Sequence, residues 1–142
     1  MGRIVVVWVH VAATAAWVGG LLYTSHLVVP GLVRGERSYL ALLARGRFIG
    51  WGALGLVVVT GLENLRRVGL ESYWLAAKLL LVMGLLALAA QRDFGLLPRA
   101  MRAIEEGQDP ADALRGIRGL DRALVLLALV VLFLAVGVAR GR

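Results

Sequence analysis

The stretch IVVVWVHVAATAAWVGGLLYTSHLVVPGLV, residues 4–33, runs for thirty residues without a formal charge apart from what His10 or His26 can carry. An α-helix rises 1.5 Å per residue and the hydrocarbon core of a bilayer is about 30 Å thick, so about twenty such residues cross it. This segment decides the fold class, and the rest of the chain repeats its character. Phe48–Leu62, Ser72–Ala90 and Ala123–Ala139 are three more apolar stretches. Apolar residues make up 60% of the 142 and the mean hydropathy is +0.80, outside the range of ordinary soluble domains. The expectation is an all-α, integral membrane four-helix bundle. It forms a single transmembrane domain over residues 1–142, with spans at about 4–29, 48–65, 72–91 and 120–139 and short surface helices in the cytoplasmic loops.

Punctuation residues set the expected boundaries. Pro30-Gly31 stops the first helix near Val29. Arg3 and the small-residue run AATAAW have the flavour of a cleaved leader, but the apolar run continues through LLYTSHLVV, which reads as a mature helix. The uncharged core of span 2 is short. Extending it through Glu63 and Asn64 to Leu65 makes it long enough and puts Glu63 at membrane depth, while SYLALLAR reads as a helical approach. Beyond Arg92, arginines alternate with acids around Pro98 and Pro110, which reads as short surface helices. Asp109-Pro110 followed by Asp112 has the form of an N-cap, so the last helix is expected to start there.

The absence of cysteine excludes disulfides, thiolate-bound zinc and ordinary iron–sulfur ligation. A net charge of +7 without a soluble basic domain reports arginines at the lipid surface, and nucleic acid is excluded as a partner. Ten arginines lie between spans 1 and 2 or 3 and 4: Arg34, Arg37, Arg45, Arg47, Arg92, Arg99, Arg102, Arg115, Arg118 and Arg122. Five lie on the other side: Arg3, Arg66, Arg67, Arg140 and Arg142. Positive residues favour the cytoplasm, so both termini are expected outside a plasma membrane.

With that topology three spans bring polar groups to one outer level. His10 lies about 9 Å into span 1, Lys78 comes to the same depth in span 3, and ascending span 2 delivers Thr60, Glu63 and Asn64. Lys78 is the only lysine of the chain. The helical period groups Val6, His10, Ala13, Thr14, Trp17 and Leu21 on one side of the first helix. It groups Gly52, Gly55, Val59 and Glu63 on the second, and Trp74, Lys78, Leu81 and Leu85 on the third. Bland readings stand beside the functional one. Lys78 could snorkel to the headgroups or pair with Glu63, and His10 could be a helix-to-helix hydrogen-bond partner. The glycines of GWGALG could serve packing, and Trp8, Trp17, Trp51 and Trp74 could be interface anchors. His26 is sixteen residues from His10, about 24 Å along a helix, so the two histidines cannot share a metal.

HVAATAAWVGGLLYTSHLVVP, VVVTGLENL, YWLAAKLLLVMGLLALAA and QRDFGLLPRA, in that order, resemble the CopD-type copper-resistance membrane proteins and the related HemJ-type protoporphyrinogen oxidases. The HemJ resemblance implies bound haem b and oxidation of protoporphyrinogen IX to protoporphyrin IX, with a first-helix histidine and a third-helix lysine as the functional pair. These correspond to His10 and Lys78. Where HemJ-type proteins follow the first-helix tyrosine with Pro-Arg, this chain has Thr24-Ser25-His26, and QRDFGLLPRA is closer to the CopD side.

The leading expectation is a haem b redox protein in the lipid bilayer, with a tetrapyrrole partner and an unidentified electron acceptor. His10 serves as metal ligand and Lys78 as second ligand or proton acceptor; both are candidate catalytic residues, since desolvation favours the neutral amine. Trp17 and Glu63 are further cofactor contacts, and Arg3, Arg66 and Arg67 suit the propionates. The alternative is copper transport or resistance through His10, His26 and Met83, a sparse set for a metal that favours sulfur. A non-catalytic assembly subunit is the third reading. A homo-oligomer, which would supply a histidine from each chain, stays open.

Overall fold

The computed structural model describes residues 2–68 and 73–140, without the side chains of Arg3, residues 67–68, Trp74 and residues 137–140. The described elements are α1 (Gly2–Tyr23), a π turn (Thr24–Val28), α2 (Val29–Val33), α3 (Tyr39–Val68), α4 (Tyr73–Ala90), a second π turn (Gln91–Leu96), α5 (Leu97–Glu105) and α6 (Ala111–Arg140). Without breaks at the π turns these make four rods: α1–α2, α3, α4–α5 and α6. Each contains a segment long and apolar enough to cross a membrane, at Ile4–Val33, Tyr39–Arg66, Leu75–Glu105 and Ala111–Val136. A spanning chain has no water to satisfy its backbone, and helices satisfy it internally.

Pro30 does not stop the first helix. Inside a regular helix a proline removes one hydrogen bond and clashes with the carbonyl four residues back. The π turn just before it widens the coil, and the Val29 N–H reaches back five residues to the Thr24 carbonyl. The rod then continues to Val33. The third rod uses the same device: the π turn at Gln91–Leu96 precedes Pro98, and the helix passes through Arg92 to Glu105. Both rods end alike. Gly35 (φ 85°) and Gly107 (φ 71°) take the left-handed conformation. The N–H groups of Glu36 and Gln108 close the ends on the Gly31 and Ala103 carbonyls, at 3.0 and 2.7 Å. The chain is thus two helical hairpins of one plan, a structural repeat that the sequence does not display.

The short surface helices expected beyond Arg92 are instead the continuation of the third rod to Glu105 and the first turns of α6, while two other boundary expectations match the described helices. SYLALLAR is the start of α3, and Glu63 lies within its last two turns. Asp109 caps α6, its Oδ1 accepting the Ala111 N–H at 2.9 Å.

The rods pair antiparallel, α1 on α3 and α4 on α6, and α1 and α2 also pack on α6. Packing is graded along the bundle. At the end holding the two Gly turns, Val28, Val29, Leu32, Leu43, Leu97, Ala100, Leu114 and Ile117 form a closed cluster. In the middle, Trp17, Leu21, Leu54, Leu85, Ala89, Leu124 and Ala128 form a second. Large apolar side chains such as Ile4, Trp8, Phe48, Ile49, Leu80 and Phe133 are exposed around the outside, as a lipid-facing surface requires. The period places Ala13, Trp17, Leu21 and Leu85 correctly inside, but it mis-phases the second helix. Leu54 is buried there, while Gly52, Gly55 and Val59 are exposed. In a span both faces are apolar, so the period has little contrast to reveal.

Candidate functional site

His10 sits on α1 where α3 passes closest. Its Nδ1 is 2.8 Å from Thr60 Oγ1, and its ring lies against Gly61, where an added methyl would meet Cε1 at 3.5 Å. The Thr60 hydroxyl has one proton, which it gives to backbone carbonyls of its own helix, those of Leu56 and Val57. With that proton on a carbonyl, Nδ1 is assigned the hydrogen donated to Thr60 and Nε2 the lone pair; with it turned toward the ring, the roles of the two nitrogens exchange. An imidazole held at one nitrogen and bare at the other is the usual arrangement of a metal-ligating histidine. Thr14 Oγ1 donates to the His10 carbonyl at 2.8 Å and ties the same turn of α1.

Lys78 approaches from α4, half-buried and within electrostatic reach of the His10 ring. It makes no hydrogen bond or ion pair with a described residue. Glu63 pairs with Arg66 at 3.5 Å, one turn along α3. The Lys78–Glu63 ion pair left open by the sequence is absent among the described contacts. Arg66 is 81% exposed at the side chain, toward the end of the rod. The side chains of Arg3 and Arg67 lie outside the described residues.

Trp17 does not join this layer. It lies seven residues, about 10 Å, deeper along α1. There it belongs to the middle core and to a cleft of about 540 Å³ that opens between α1 and α3 and reaches Arg92 and Asp93. His26 is exposed, its Nδ1 3.0 Å from the Leu22 carbonyl, and Met83 is 67% exposed on the lipid side. The donors of the copper reading therefore do not converge. Among the described residues no three His, Cys, Asp or Glu side chains gather as a metal cluster.

Sequence reasoning missed a second polar layer. Arg92, expected on the surface, is buried, with Nε on Asp121 Oδ1 and Nη1 on Asp93 Oδ1. Trp51 Nε1 donates to Asp93 Oδ2 at 2.8 Å and its ring tilts against Phe94, centroids 5.3 Å apart. The signal available was Asp121, a lone acid two residues before an uncharged apolar run, in phase with Leu114, Ile117, Leu124 and Ala128.

No curated protein and no solved structure gives a significant match to the chain. The family model described as "Copper resistance protein D" matches residues 40–138, from the start of α3 almost to the end of α6. The match takes in Thr60, Lys78 and the Arg92 cluster, and starts after the rod that carries His10. It covers well over half of a four-rod, all-helical membrane chain, which belongs to the copper resistance protein D family.

Proposed function

We propose that this multi-pass membrane protein holds haem b through His10, with the Lys78 amine as second ligand or proton acceptor, and works as a membrane redox protein. The observation that carries the reading is the 2.8 Å contact of His10 Nδ1 with Thr60 Oγ1: in the tautomer with the hydrogen on Nδ1, Nε2 is free to bind iron. Lys78 supports it, as a half-buried amine close enough to influence that ring electrostatically and without a partner among the described residues. An amine, unlike a guanidinium, can give up its proton and then coordinate a metal or take the proton up again. Haem iron would supply one-electron chemistry. The protein's part would be to fix the imidazole through Thr60 and offer Arg66 to a propionate. The substrate we expect is protoporphyrinogen IX, oxidised to protoporphyrin IX.

A second reading, copper transport or resistance, is favoured by the family description. His10 would then be a single nitrogen donor in a pathway that neither His26 nor Met83 joins. Purified protein distinguishes the two: a Soret band with iron in the metal analysis supports haem, and bound copper without that band supports the alternative. We further propose that both termini face outward across the plasma membrane. With Arg92 removed to the interior, nine arginines still lie on the opposite side against five. A reporter fused after Arg142 should be external and one inserted at Gly107 cytoplasmic; the reverse pattern would overturn the orientation.

A further inference from the structure

The Arg92 cluster contains more negative than positive charge. Side-chain exposures are 8% for Arg92, 9% for Asp93 and 0% for Asp121, so all three are withdrawn from water. One guanidinium faces two carboxyl groups, and with both ionised the cluster would carry a net charge of −1 inside the bundle. The two acids are not equivalent. Asp93 has an N–H on each oxygen, from Arg92 and from Trp51. Asp121 receives Arg92 on Oδ1 only, and its Oδ2 is buried with no hydrogen-bond partner.

The surrounding groups do not supply the missing charge. Arg45 and Arg47 on α3, and Tyr23 on the first rod, line the cleft that reaches Arg92 and Asp93; Asp121 is not part of its wall. On α6 itself Arg118 and Arg122 are exposed, as is His26 on the first rod. A buried carboxylate oxygen without a partner is costly, and protonation is the cheapest way to remove its charge.

We propose that Asp121, with Arg92 and Asp93, forms a proton-binding site in this half of the bundle, Asp121 holding one exchangeable proton on Oδ2. The step is a simple dissociation: the Asp121 O–H bond breaks, a water molecule takes the proton as hydronium, and the carboxylate remains on Arg92. Such a site would let the chain take up or release one proton per cycle far from the His10 layer. It does not depend on which cofactor that layer holds.

Infrared spectroscopy of the full-length protein in lipid vesicles at neutral pH tests this. The wild type should give the carbonyl stretch of a protonated carboxyl group, and Asp121→Asn should lose it. Asp93→Asn should lose it too, because Arg92 then balances one carboxylate and Asp121 ionises. Asp112→Asn, an exposed acid on the same helix, should keep it. Absence of the band from the wild type, a measurement that needs no variant to fold, would overturn the proposal, as would its survival in Asp121→Asn. A wild type that lacks the band and is stabilised by sodium chloride but not by choline chloride would identify a bound sodium ion and overturn it as well.

Discussion

The two halves of the bundle differ in how far their polar groups are paired among the described residues: closed in that sense at the Gly35 and Gly107 turns, where the cleft also lies, and loose toward the termini. In the first, apolar clusters pack above and below a charged network in which Arg92 answers two acids. In the second, His10 and Lys78 are only half-buried, one neighbour of His10 is a glycine, and Lys78 has no described partner. Both halves put charge inside a membrane protein, where it is expensive and marks function by default. The difference suggests a division of labour. A network whose hydrogen bonds are nearly all made ties three of the four rods together, while groups left open are available to a ligand.

Breaking the closed half should have the largest effect. Arg92→Met leaves Asp93 and Asp121 buried without their cation, and loss of one partner of a buried ion pair costs about 3–5 kcal/mol. Thermal unfolding in a fixed detergent should show a large drop in midpoint; an unchanged midpoint would mean that the network is not structural. A smaller contrast comes from glycines. A methyl on Gly31 would stand 2.5 Å from the Tyr39 ring, so Gly31→Ala should cost about 1–3 kcal/mol by overpacking. Gly61→Ala, beside His10, meets only an ordinary contact and should be neutral or slightly stabilising, since alanine is the better helix former. Equal losses at both positions would erase the difference in packing.

The same contrast governs what could be read in advance. The four spans, the capped start of α6 and the shared level of His10 and Thr60 were legible because length, caps and 1.5 Å per residue determine them. The passage of two rods through Pro30 and Pro98 was not, because a π turn is a tertiary accommodation with no strong residue signature. Arg92 was misplaced for a related reason. Among neighbouring arginines and acids it looks solvated, and only the continuation of the helix carries it inward to Asp121. The inward face of α3 was mis-phased because glycines were read as interior where lipid covers them.

In the loose half, substitutions should change ligand binding more than stability. Lys78→Met removes a half-buried amine that has no described partner and should leave the thermal midpoint nearly unchanged, within about 1 kcal/mol. Lys78→Arg keeps the charge but cannot offer a neutral amine, so it should impair ligation or porphyrinogen oxidation about as much as Lys78→Met. A fully active Lys78→Arg protein would exclude the neutral-amine role and leave electrostatics as the function of that residue.

The claim that the open half is the working half is tested most directly by the absorption spectrum of two purified histidine variants, each compared with wild type at equal folded protein. His10→Ala should lose most of the Soret absorbance while retaining its circular dichroism. His26→Ala, whose ring lies exposed at the far end of the same rod, should keep nearly all of it. A Soret band that survives His10→Ala, or one that vanishes with His26→Ala alone, would contradict the account.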